Sequence, residues 1–171
     1  RTLQKAFSFE GVGVHSGRPV RVRVCPAAPD TGILFQRTDI SPTPTIPALP
    51  ERVVDTTLAT TLGSGRIRVS TVEHLLAALA GMGVDNARIE VGGDEIPILD
   101  GSSLPLIRLI GEAGISAQNS ARFCLRIKRP VTVREGNKEV PLLPSRQFGF
   151  KVSYEISFDH SVVGEQRWSG V

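Results

Sequence analysis

The stretch Ser70-Thr71-Val72-Glu73-His74-Leu75-Leu76-Ala77-Ala78-Leu79-Ala80-Gly81-Met82-Gly83 decides how the chain folds. Val72, Leu75, Leu76 and Leu79 fall at i, i+3, i+4 and i+7, one stripe of a helical period, so residues 71–82 are read as a helix with that stripe in a core. Ser70-x-x-Glu73 has the form of a capping box, which starts the helix after Ser70, and Gly81 or Gly83 supplies the stop. At about 100° per residue, His74 lies nearly opposite the stripe and Glu73 on its flank, while Ala77 and Gly81 keep the His74 face low. Something can approach that face closely.

Working outward, the preceding residues read as β structure. Residues 2–9, 18–25 and 32–37 are expected strands, and Val20, Val22 and Val24 alternating with Arg21 and Arg23 mark a half-exposed one. In Gly11-Val12-Gly13-Val14-His15-Ser16-Gly17 the third glycine falls one place late for G-x-G-x-x-G, and a strand follows instead of a helix. The segment is therefore read as a strand-to-strand turn, not a phosphate loop. Pro42, Pro44, Pro47 and Pro50 exclude a helix or a central strand from the connector they occupy. Short strands are expected at 53–57, 59–62 and 67–69, around a hairpin-like Gly63-Ser64-Gly65.

Beyond the helix, residues 86–91 return as a strand with 96–99 a candidate partner. Residues 104–113 form a second helix, with Leu106, Ile107 and Ile110 at helical spacing and Gly114 as its stop. After the polar joint Ser116-Ala117-Gln118-Asn119-Ser120, strands are expected at 123–127, 131–134, 140–143 and 148–157, without a helix. The fold class is α+β: a sheet with two helices over residues 1–117, then an incomplete second unit of the same type over 121–171.

Composition narrows the function classes. The 171 residues are 40% hydrophobic and 22% charged, which excludes disordered and collagen-like chains. No apolar run approaches the roughly 18 residues of a membrane span, and the first residues alternate instead of forming a signal-peptide core, so a cytoplasmic protein is expected. Twenty Lys and Arg against 17 Asp and Glu leave a formal charge of +3, which speaks against a nucleic-acid partner. Cys25 and Cys124 match no Cys-x-x-Cys spacing and are expected as reduced thiols.

Two roles are open to Glu73: closing the capping box, or acting as a base beside His74. His74 is either an inert helix histidine or one ligand of a metal. A catalytic zinc takes three protein ligands and an open position, commonly including a helical pair at i, i+4. Four residues beyond His15, His74 and His160 stand Pro19, Ala78 and Gly164, so no such pair exists. His15, His160 and Asp100 are distant candidates that no spacing supports. G-x-S-x-G, the P-loop and H-E-x-x-H are all absent, which removes the commonest hydrolase and NTPase readings.

Ser70-Thr71-Val72-Glu73-His74-Leu75-Leu76-Ala77-Ala78-Leu79, followed by Gly83-Val84-Asp85-Asn86 and Glu95-Ile96-Pro97-Ile98-Leu99-Asp100-Gly101-Ser102, resembles the UDP-3-O-acyl-N-acetylglucosamine deacetylases. These are the zinc enzymes that commit bacterial lipid A synthesis. The glycine-rich 11–17 segment and residues 32–39 share the likeness, which runs from Arg1 to at least residue 160. It implies two α+β domains of similar topology with an active site between them. The histidine matching His74 then ligates zinc, and the glutamate matching Glu73 is the general base that activates water against the acetamide of UDP-3-O-acyl-N-acetylglucosamine, releasing acetate. The histidine matching His15 lies near the active site and is a candidate for substrate binding.

The same resemblance assigns the remaining ligands, a His and an Asp one helical turn apart, and a general-acid histidine to parts of the second domain that these 171 residues do not hold. The chain is thus expected to be an amino-terminal part, inactive alone, with the missing part or a second copy as possible partner. A non-catalytic binding or interaction domain that retains the fold is the alternative.

Overall fold

The alternation of buried valine and exposed arginine in residues 19–26 sets the architecture, because it gives that strand one core face and one solvent face. The computed structural model describes residues 1–145 and 149–170. They fall into two units, Arg1–Ala121 and Arg122–Val171.

The first unit runs β1 (Thr2–Leu3), β2 (Phe7–Val12), β3 (Pro19–Pro26), β4 (Ile33–Arg37), β5 (Thr45–Pro47), β6 (Val53–Asp55), β7 (Thr61–Ser64), β8 (Ile67–Val69), α1 (Glu73–Gly81), β9 (Ala87–Val91), α2 (Leu104–Ala113) and β10 (Ile115–Ser116). A five-stranded sheet in the order β2-β3-β9-β4-β5 carries the core, and only its β4–β9 pair is parallel. Val22, Val24, Phe35, Ala87, Ile89 and Val91 are fully buried on it. Leu75, Ala78 and Leu79 of α1 and Leu106, Ile110 and Ala113 of α2 join the same cluster. Each fully buried Val, Leu or Ile stabilises by about 1.5–3 kcal/mol relative to exposure, so the helices hold to the sheet chiefly through these stripes.

The α+β class expected from the sequence is the one observed, as are the alternation in β3 and the span of α2 with Gly114, at φ 75°, after it. Several expectations are corrected. The single strand at 2–9 is broken between β1 and β2, because β1 pairs with β10 while Gln4 and Lys5 donate to the carbonyls of Gly114 and Ala113. The proline-rich connector agrees with the exclusion of a central strand: it contributes β5 at the sheet edge, where a proline costs no ladder bond. Residues 96–99 do not pair with β9: Pro97 has no N–H, and the Ile96 N–H goes to the Ser70 carbonyl instead.

The described residues of the second unit form two hairpins, β11 (Val131–Glu135) with β12 (Lys138–Leu142) and β13 (Val152–Ser157) with β14 (Glu165–Gly170). Gly136, at φ 58°, turns the first. Residues 123–127, expected as a strand, form none, and Phe123 and Leu125 are 92% and 91% exposed. Of the strand expected at 148–157, Phe148 lies outside the described residues. The strand β14 forms although Glu165-Gln166-Arg167-Trp168 lacks a clear alternation. Among the described residues, no helix is long and apolar enough to cross a membrane.

Candidate functional site

Helix α1 begins at Glu73, with Val72 in the preceding position and no side-chain cap. The expected capping box therefore does not form. Its failure has a tertiary cause: Ser70 is held in a parallel bridge to Glu95, donating its N–H to Asp94 O at 2.8 Å while its carbonyl accepts the Ile96 N–H at 2.9 Å. Thr71 then turns the chain at φ 58°, a left-handed conformation that a β-branched residue rarely adopts. Glu73, released from capping, is the first helical residue, and its Oε2 accepts the Thr60 N–H at 3.0 Å.

Glu73 and His74 thus stand side by side in the first turn of α1, both half-buried. Helix packing explains why: Val72, Leu75 and Leu79 occupy the core, which leaves His74 on the other side of the helix. The His74 carbonyl accepts the Ser103 hydroxyl at 3.0 Å, tying this turn to the residue before α2. Ala77 and Gly81 are exposed and leave the His74 face low, as the sequence suggested, and a Cβ at Gly81 would meet nothing within 4 Å.

One residue near this turn escaped the sequence reading. Glu95 is only 2% exposed. Its Oε1 accepts the His15 N–H at 3.0 Å and the Thr71 hydroxyl at 3.3 Å, and its Oε2 accepts the Ser16 N–H at 2.7 Å. Burial alone would push its carboxyl up. The hydrogen bonds from Ser16, the His15 amide and Thr71 outweigh that, so the group sits below the ordinary glutamate range and remains charged. Gly13 is required beside it, since a Cβ there would overlap the Glu95 carboxylate and the Ser16 Oγ. The available signal was an acid opening the apolar run Glu95-Ile96-Pro97-Ile98-Leu99, because an acid in such a place needs donors when buried.

His15 joins the site region through its backbone only. Its side chain is exposed, and no hydrogen bond among the described residues links its imidazole to Glu73 or His74. Asp100 accepts the Ser102 N–H and hydroxyl, both at 2.9 Å, and those bonds hold its carboxyl below the usual aspartate range. In the second unit, His160 Nδ1 accepts the N–H groups of Val162 and Val163 within its own turn. No group of three His, Cys, Asp or Glu side chains placed to hold a metal occurs among the described residues. Cys25 is buried and Cys124 exposed, and both are free. Chemically, the first turn of α1 offers one carboxylate base and one imidazole nitrogen.

Comparison with known proteins gives a family model described as UDP-3-O-acyl N-acetylglycosamine deacetylase, matched over residues 1–171. A protein of Saccharophagus degradans named UDP-3-O-acyl-N-acetylglucosamine deacetylase is 52% identical over 162 residues, covering 95% of this chain and 53% of its own length. Proteins of the same name from Myxococcus xanthus and Pseudomonas entomophila are 50% and 48% identical, over 97% and 99% of this chain and 52% and 55% of their own lengths. The chain spans about half the length of the curated relatives it matches.

Proposed function

Since the chain belongs to the UDP-3-O-acyl N-acetylglycosamine deacetylase family, we propose that the protein acts as a zinc-dependent hydrolase of the UDP-3-O-acyl-N-acetylglucosamine acetamide, in bacterial lipid A biosynthesis. The observation that carries this reading is the adjacent, half-buried pair Glu73 and His74, in which Glu73 is not used as a helix cap. A carboxylate needed for capping would point back along its own helix; this one is aimed by the Thr60 amide, and its Oε1 has no hydrogen bond among the described residues.

In this reading His74 is one zinc ligand and Glu73 the general base. A catalytic zinc takes three protein ligands, and His74 alone does not complete the set, so the other ligands belong outside the described residues. Bound zinc would supply Lewis acidity at the amide carbonyl. Glu73 takes a proton from the water that adds to the acetamide carbon; the C–N bond then breaks, the amine gains a proton and acetate leaves. His15 is assigned to the substrate side of the site. Residues 1–117 are read as the amino-terminal domain and 121–171 as the opening strands of a second domain of the same type, in a cytoplasmic bacterial enzyme.

The test is acetate release from UDP-3-O-acyl-N-acetylglucosamine by a protein carrying these residues at the length of its relatives, with zinc and after chelation. Zinc-dependent release is expected. A folded, zinc-loaded protein that releases no acetate would return the chain to a non-catalytic binding domain.

A further inference from the structure

Building on that deacetylase reading, we infer that Glu95 is a positioning residue: its buried carboxylate locks the His15–Ser16 turn and the Thr71 turn to one point and thereby sets the placement of Glu73. Three observations carry this. The carboxylate is 2% exposed and uses both oxygens, on His15 and Thr71 with one and on Ser16 with the other. Thr71 keeps its unfavourable φ of 58° two residues before Glu73, and such a conformation persists only where the surroundings over-determine it. Here the surroundings are the Glu95 bond to its hydroxyl, the Ser70 bridge on one side and the Val72 N–H to Thr60 O on the other, at 3.3 Å.

The consequence is geometric. Thr60 is bonded both to Val72, by its carbonyl, and to Glu73, by its N–H, so a relaxed Thr71 would shift the base relative to the amide that aims it. Glu95 touches neither Glu73 nor His74 in any hydrogen bond among the described residues, and it acts through the backbone they sit on. Replacement by Gln is the informative change. An amide presents two donors in place of one acceptor oxygen, so it cannot satisfy all three groups that now point at it.

The experiment uses the full-length protein with Glu95→Gln, Thr71→Val and Glu73→Gln, singly and combined. Glu95→Gln is expected to lower kcat by about a hundredfold with KM little changed, the order seen when reacting groups are misplaced by an ångström or so. In a Glu73→Gln background the same change should have little further effect, because the group it positions is gone. Amide exchange at His15 and Ser16 should accelerate, a readout independent of turnover. Should Glu95→Gln not fold, Thr71→Val, which removes only the hydroxyl link, carries the test with the same expected coupling to Glu73. A folded Glu95→Gln with wild-type kcat, equal losses in both Glu73 backgrounds, or unchanged exchange at His15 and Ser16 would overturn the inference. An inactive wild type overturns the deacetylase reading instead, so the two failures are distinguishable.

Discussion

The Glu73 carboxylate accepts the Thr60 N–H across 3.0 Å, binding the first residue of α1 to the residue that leads into β7 and not to its own helix. Glutamine keeps an acceptor oxygen for that amide. Glu73→Gln in the full-length protein should therefore change stability by no more than about 1 kcal/mol. On the proposed reading of Glu73 as the base, turnover should fall by roughly a hundredfold to ten-thousandfold, with zinc retained. On the proposed reading of His74 as a zinc ligand, His74→Ala should lose zinc as well as activity. Turnover, bound zinc and melting temperature for both variants separate these outcomes, and an active Glu73→Gln enzyme would leave Glu73 with an orienting role only.

Two glycines near the site should respond oppositely to alanine. Gly13→Ala drives a methyl into the Glu95 carboxylate and Ser16, both fixed by the turn, and should destabilise by about 1–3 kcal/mol as overpacking does. Gly81→Ala, at the end of α1 with open space around its Cβ, should stabilise by up to about 1 kcal/mol through helix propensity. Urea denaturation midpoints of the two variants check the pair. Equal effects would mean that the Gly13 turn can give way.

Acid should loosen the Glu95 lock. The hydrogen bonds from Ser16, the His15 amide and Thr71 outweigh burial and hold its carboxyl below the ordinary glutamate range, so folding is favoured by its ionisation above that range and loses the contribution as pH falls through the lower, folded value. Asp39 acts with the same sign, because the hydrogen bond from Arg37 holds it below the usual aspartate range. Stability followed from about pH 7 to about pH 3 should decline at the acid end, less steeply in Glu95→Gln than in the wild type. Parallel curves for the two proteins would count against a charged Glu95.

The 171-residue chain by itself should bind zinc weakly and show no deacetylase turnover, because His74 alone cannot make a three-ligand site. Zinc retained in stoichiometric amount through dialysis, together with acetate release, would refute this.

The second unit should self-associate when the chain is prepared alone. Phe123, Leu125 and Val162 are 92%, 91% and 84% exposed, and Tyr154 and Trp168 face solvent across β13 and β14. Large apolar side chains left exposed in this way favour association. Light scattering should report dimers or larger species; a stable monomer with slow amide exchange throughout β13 would contradict the expectation.

The sequence by itself determined the elements whose signal is local. The 3.6-residue stripe of Val72, Leu75 and Leu79 defines α1 and buries it, the valine-arginine alternation defines β3, and Leu106 and Ile110 with Gly114 delimit α2. It also put Glu73 beside His74 off the core stripe, because neighbours on a helix have fixed angular offsets. Tertiary structure decided what depends on partners far along the chain. Ser70 reads as a cap until residues 94–96 take its backbone groups, and Pro97 removes an amide that the expected strand at 96–99 would need. Glu95 is a buried, charged anchor only because His15 and Ser16, some 80 positions away, bring their amides to it. A carboxylate's burial is settled by the donors that surround it, and no local pattern in the sequence records where those donors come from.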